Sequence, residues 1–111
     1  MEIVEERQGA VTVVRPKGQI GEAEATILRQ RLRDVLERSL GRFVLDAADI
    51  PYADSTGLEL LLDVTDELSG SGRVLKLCAA TDTLREALKL TGIGDRFEHF
   101  ADVQTGVRSF L

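Results

Sequence analysis

The stretch Asp54-Ser55-Thr56-Gly57-Leu58, running into Leu60-Leu61-Leu62 and on to Leu68, decides how this chain is read. Before it stands a short apolar segment, Phe43-Val44-Leu45-Asp46, and then the turn-like Pro51. After it the period changes. At about 100° per residue, Leu58, Leu61, Leu62, Thr65 and Leu68 fall on one side of a helix. Glu59, Asp63, Asp66 and Glu67 fall on the other. Asp54 or Ser55 is suited to cap this helix, because a short side-chain oxygen accepts from the orphan amides of the first turn. The sequence therefore sets a serine hydroxyl at the positive end of a helix, just past a strand.

Outward from this point the pattern alternates. Residues 2–7 and 11–17 read as two antiparallel strands joined at Gln8-Gly9. Lys17-Gly18-Gln19-Ile20-Gly21 reads as a loop. From about Glu22 to Leu40 the period is helical, with Ala25, Leu28, Leu32, Val35 and Leu36 inward. Glu22 and Glu24 come early and Arg38 late, as the helix dipole prefers. Ile27 falls outside that stripe, and Gly41 closes the helix. Residues 42–47 form a buried strand, too short and apolar to alternate.

The helix over 55–69 ends at Gly70-Ser71-Gly72, and Arg73 to Leu77 form another strand, continued inward by Cys78 and Ala79. Thr81-Asp82-Thr83 caps a third helix with Leu84, Ala87, Leu88 and Thr91 inside and Gly92 at its end. Phe97 to Phe100 form a last short strand, and Asp102 caps a C-terminal helix through Val103, Val107 and Phe110. A hairpin followed by alternating helices and strands predicts an α/β fold, with a mixed sheet and parallel neighbours in its strand-helix-strand parts.

The composition bounds the function. At 111 residues, one domain with one core is expected. Apolar residues at 43% and charged residues at 30% mark a globular chain and not a disordered one. The net charge of -5 disfavours nonspecific binding to nucleic acid or anionic membrane. No apolar run approaches the roughly 18 residues that span a bilayer. Met1-Glu2-Ile3-Val4-Glu5-Glu6 lacks the basic and apolar regions of a signal peptide. The one cysteine, Cys78, fits a reducing compartment. A cytoplasmic location without membrane insertion is expected.

Ordinary catalytic chemistries fit poorly. A serine nucleophile needs a base, and the only histidine, His99, lies far along the chain outside any Gly-x-Ser-x-Gly pattern. An aspartic-protease reading of Asp54-Ser55-Thr56-Gly57 fails because an extra residue separates Asp from Gly and a helix follows. The glycine pairs Gly18/Gly21 and Gly70/Gly72 lack the lysine and hydroxyl of a phosphate loop. One Cys, one His and scattered carboxylates offer no metal-ligand cluster. Arg29, Arg31, Arg33, Arg38 and Arg42 split between helix flanks and mix with acids, without the interleaved aromatics of a nucleic-acid surface. No enzyme activity, metal or cofactor is expected.

What remains is a docking and modification site. Ser55, Glu59, Asp63 and Asp66 stand roughly in line on the solvent side of one helix. Like charges at i,i+4 cost a few tenths of a kcal/mol each, and Asp66 and Glu67 gain nothing from the dipole. This acidic stripe is either a docking face or a solvated face that serves solubility.

Asp54-Ser55-Thr56-Gly57-Leu58 after Phe43-Val44-Leu45-Asp46 resembles the phosphorylation motif of STAS domains, specifically the bacterial anti-sigma-factor antagonists. The resemblance continues through the early hairpin ending in Lys17-Gly18-Gln19-Ile20, through Gly72-Arg73-Val74-Leu75, and through Leu88-Lys89-Leu90-Thr91-Gly92-Ile93 with Phe97 downstream. It implies a single STAS domain over 1–111, with a mixed sheet of about four to five strands and about four helices. It implies Ser55 as the acceptor phosphorylated by an anti-sigma factor that is also a serine kinase, and a metal-dependent serine phosphatase that resets it. The unphosphorylated form binds the anti-sigma factor and frees a sigma factor. The expected partner surface is Gly21, Glu22, Asp54, Ser55, Thr56, Gly57, Glu59 and Asp63, on a monomer or weak dimer.

Two positions depart from the family pattern. Gly21, followed by Glu22, stands where an acidic residue is usual, and Glu59 stands where many members carry a small one. Two alternatives follow from the same resemblance. One is a non-switching subunit of a stressosome or lipid-transport assembly, and the other is a small nucleotide-binding module.

Overall fold

A computed structural model describes the chain from Met1 to Leu111. The hairpin forms as its turn glycine requires. Strand β1 (Glu2–Gln8) pairs antiparallel with β2 (Val11–Lys17), and Gly9 takes φ 63° in the turn. Helix α1 (Glu22–Ser39), strand β3 (Phe43–Asp46), helix α2 (Ser55–Ser69) and strand β4 (Leu75–Cys78) follow in alternation. Then come helix α3 (Asp82–Leu90), a single 3-10 turn (Gly94–Arg96), strand β5 (Phe97–Phe100) and helix α4 (Val103–Arg108). The strands lie side by side in chain order, β1-β2-β3-β4-β5, with every pair after the first parallel. This is the α/β arrangement expected, a mixed five-stranded sheet with four helices.

That order dictates how the helices are placed. Three successive strand-helix-strand units step along the sheet in one direction, and right-handed crossovers then put α1, α2 and α3 on one face. The main core forms there. Val14, Phe43, Leu45, Leu75, Leu77 and Phe97 from the sheet meet Leu28, Leu32 and Val35 of α1, Leu61, Val64 and Leu68 of α2, and Leu84 and Leu88 of α3. The opposite face carries a smaller cluster, Val11, Val13, Val44 and Cys78, covered by Val103 and Val107 of α4 and by Phe110, which lies just past the end of the helix and not within it as expected.

Helix α2 is buried over a wider arc than its sequence stripe. Leu60 and Val64 are buried along with Leu58, Leu61, Thr65 and Leu68, whereas Leu62 is only half-buried. The middle helix is packed by α1 on one flank and rests on the sheet, so one apolar stripe is too narrow a description. Thr65 is sealed inside because its hydroxyl donates to the Arg96 carbonyl at 2.8 Å and accepts from the Leu75 amide at 3.0 Å. Thr91, expected inside, is exposed, and its hydroxyl returns to the Ala87 carbonyl at 2.7 Å. Strand β4 begins at Leu75, two residues later than the pattern suggests, and Ala79 leaves it at φ 55°.

The end of α1 also differs from expectation. Gly41 does take a left-handed φ of 80°, but Leu40 before it already stands at φ 55°. The Gly41 amide closes the turn on the Leu36 carbonyl at 2.9 Å. Leu40 is 78% exposed, so its side chain returns almost no burial for a backbone conformation that L-residues disfavour. Leu40→Gly is therefore expected to raise stability by about 1 kcal/mol, read as a higher urea midpoint at unchanged slope.

Cys78 adds a pH dependence. Its burial pushes the thiol up to about 12, reinforced by the nearby charges of Asp46 and Asp102 and opposed by Lys76. An unfolded thiol titrates near about 8.5. Above that pH the native state holds a proton that the unfolded chain has lost. The stability from this group is complete below about 8.5 and is lost as pH rises toward the folded value. Urea midpoints across this alkaline range are expected to fall more steeply for the wild type than for Cys78→Ala.

Candidate functional site

The site lies where the strand-to-helix connections of β2-α1 and β3-α2 meet. Two loops are stitched there by backbone hydrogen bonds. The Gly18 amide donates to the Asp49 carbonyl at 3.0 Å, Ile20 to Tyr52 at 3.1 Å, and Asp54 to Ile20 at 3.2 Å. Ile20 and Ala53 form an isolated parallel bridge, and Ile20 and Ile50 are fully buried beneath it. The loop that opens α1 and the loop that opens α2 thus behave as one platform.

Gly57 makes this platform possible. A Cβ at that position would lie 2.4 Å from the Ile20 carbonyl oxygen and 3.0 Å from the Cβ atoms of Ala53 and Ile20. Real side chains do not approach backbone that closely, so any larger residue must push the first loop off the second helix. The glycine is needed for space and not for its own backbone angles.

Asp54 starts α2. Its backbone is extended (φ -81°, ψ -174°), and its Oδ1 accepts from the Gly57 amide at 3.0 Å. Ser55 is then the first helical residue, exposed to solvent, with Thr56 half-buried behind it. Across the seam, the Gly21 amide donates to Glu24 Oε1 at 3.0 Å, and a Cβ at Gly21 would sit 3.4 Å from Asp54 Oδ2. The caps of α1 and α2 therefore nearly touch. Glu22 is exposed at the first position of α1, and Glu59 is exposed one turn beyond Ser55.

The acidic line on α2 does not act as a unit. Asp63 pairs with Arg29 at 2.6 Å, Glu67 with Arg33 at 2.9 Å, and Asp66 with Arg96. These pairs tie α2 to α1 and to the turn before β5. Exposed pairs of this kind contribute about 0–1 kcal/mol each, so they orient the helices more than they hold them. Glu59 is the acid of this line that stays out of such pairing. The structure thus brings Gly21, Glu22, Asp54, Ser55, Thr56, Gly57 and Glu59 to one end of the molecule, and leaves Asp63 further along α2 with its charge shared by Arg29.

The remaining arginines of α1 are similarly engaged. Arg31 and Arg38 both reach Glu5 of β1, at 2.9 and 2.8 Å. His99 lies on β5, its Nε2 2.9 Å from the Gly94 carbonyl. One surface residue escaped the sequence reading. Tyr52 is 45% exposed on the same platform, with its carbonyl holding Ile20. Its signal in the sequence was only its position between the turn at Pro51 and the cap at Asp54.

These roles separate by substitution. Gly57→Ala is expected to cost about 2–3 kcal/mol, because the clash is with backbone. Asp54→Ala is expected to cost about 1 kcal/mol for the lost cap. Ser55→Ala should stay within about 0.5 kcal/mol of wild type, as an exposed change that breaks no cap. Urea unfolding of the three variants tests that order.

Comparison with known proteins agrees with this fold. A family model for the STAS domain matches residues 2–106. An anti-sigma factor antagonist from Mycobacterium paratuberculosis has the same fold at a TM-score of 0.84 and 23% identity, over 97% of this chain and 92% of that one. An anti-sigma-factor antagonist (STAS) domain protein from Planctomyces limnophilus gives 0.84 at 18% identity, over 96% of each chain. The Bacillus cell fate determinant SpoIIAA, in its phosphorylated form, gives 0.72 at 17% identity, over 99% of this chain and 100% of that one. With its five-stranded mixed sheet, four helices and a family match over nearly its whole length, this chain belongs to the STAS domain family.

Proposed function

We propose that the protein is an anti-sigma-factor antagonist, a single cytoplasmic STAS domain that works by binding and not by catalysis. Its partner is an anti-sigma factor that is also a serine kinase. Bare Ser55 permits the complex, which frees a sigma factor. Phosphorylated Ser55 forbids it, and a serine phosphatase restores binding. The docking surface comprises Gly21, Glu22, Asp54, Ser55, Thr56, Gly57 and Glu59, with Asp63 at its far margin.

The observation that carries this reading is the exposed Ser55 at the first position of α2, beside a cap and on a rigid two-loop platform. A kinase reaches such a hydroxyl without unfolding anything. Phosphate brings about -1.5 to -2 charge and three acceptor oxygens. The amides and dipole at the start of a helix favour that charge by about 0.3–1 kcal/mol. Glu59, four residues on, opposes it by a few tenths of a kcal/mol. These terms nearly cancel, so the fold is kept and the effect falls on the surface. A partner that fits the neutral hydroxyl then meets a bulky dianion flanked by Asp54, Glu59 and Glu22. Phosphorylation thus works as an electrostatic and steric block.

Incubation with the cognate kinase and ATP is expected to place one phosphate, on Ser55, and Ser55→Ala to take none. Binding of the kinase by calorimetry should be retained in Ser55→Ala and weakened at least about tenfold in Ser55→Asp, a loss of about 1.4 kcal/mol. Equal affinity for wild type and both variants would remove the switch and leave a constitutive docking subunit.

A further inference from the structure

The two faces of the sheet are protected very unequally. Three helices and the large cluster cover one face, while α4, six residues long, covers the other. A helix of that length has no stability of its own in water, and Gly106 within it lowers its propensity further. Gly106 is there for contact, because a Cβ at that position would lie 2.4 Å from Cys78 Sγ and 3.5 Å from Val44 Cγ1. Val103 and Val107 are only half-buried.

The far end of α4 is held by weak ties. Lys76 Nζ donates to Ser109 Oγ at 2.7 Å and lies 4.5 Å from the centroid of the Phe110 ring and 5.4 Å from that of Phe100. Arg73 stands 5.7 Å from the Phe110 ring. At its start, Asp102 caps α4 through the Thr105 amide at 2.7 Å, a bond that lies within the segment and does not reach the sheet. Beyond the packing of Val103, Gly106, Val107 and Phe110 on the small cluster, only a neutral hydroxyl and cations over ring faces hold this segment.

We propose that α4 is a detachable cover, opening from the sheet as its own unit while the three-helix face stays folded, and uncovering an apolar strip of Val13, Val44 and Cys78. Segments with few buried contacts open at free energies well below that of global unfolding. The hinge is the short link Ala101-Asp102 between β5 and α4, and the latch is Phe110 over Lys76. The sole thiol of the chain lies under the cover, so opening has a chemical reporter.

The test is thiol labelling of Cys78 by Ellman's reagent on the full chain, at urea concentrations below the unfolding transition. Wild type is expected to label with a shallow urea dependence. Phe110→Ala and Lys76→Ala, which loosen the latch from either side, should label about tenfold faster. Val35→Ala, in the three-helix core, should lower the urea midpoint yet change the labelling rate by less than about twofold. The proposal is overturned if Val35→Ala speeds labelling about tenfold or more, in proportion to its loss of global stability. It is equally overturned if labelling has the steep urea dependence of global unfolding.

Discussion

A backbone carbonyl resting on a bare α-carbon fixes the geometry of this molecule's working end. The Ile20 oxygen lies only 2.4 Å from where a Cβ of residue 57 would be, so the loop after β2 can lie flat on the first turn of α2 only if that turn carries glycine. Once it does, the Ile20–Ala53 bridge and the hydrogen bonds at Gly18, Ile20 and Asp54 form together. The N-termini of α1 and α2 are then brought side by side, with Gly21 next to Asp54. Ser55 gains a fixed address from contacts it does not itself make. The residues that hold the platform are glycines, a cap and buried isoleucines, while Ser55 itself stands exposed.

Much of this was legible before any coordinates. The helical period and the turn residues between apolar runs marked the strands and the four helices, though not the 3-10 turn, and the cap residues Asp54, Thr81 and Asp102 each sit at the helix start where their short side chains serve best. What was not legible depended on neighbours. Leu60 and Val64 look peripheral on a helical wheel of α2 and are buried because α2 is wedged beside α1. Thr91 looks like a continuation of the α3 stripe but turns its hydroxyl to its own helix end. Leu40 accepts a left-handed backbone that a local rule assigns to Gly41 alone.

The acidic line on α2 shows the same limit at the candidate site. In sequence, Glu59, Asp63, Asp66 and Glu67 are alike, and their mutual repulsion asks for a reason. The reason for three of them lies on other elements, in Arg29, Arg33 and Arg96, each at least 30 residues along the chain from its partner. Pairing of that range is invisible to any pattern within the helix. It leaves Glu59 distinct, near Ser55, in a chain whose net charge is -5. Charge on this surface is thus sorted, with neutralised acids over the helix body and an unpaired Glu59 at the Ser55 end.

The sheet order accounts for the contrast between the two faces. Strands laid down in sequence with crossovers of one hand place all three connecting helices on a single side. The chain has only the residues after β5 with which to shield the other. A short helix covers the most area there if its backbone comes down onto the strands, which requires a residue without a side chain at the point of contact. Gly106 against Cys78 meets that need, at the expense of helix propensity in the same segment. The close fit and the weak hold are therefore consequences of one choice. The Ser55 end is spared both, because Ser55 belongs to a helix gripped by the main core and its loops, on the face that α4 never touches.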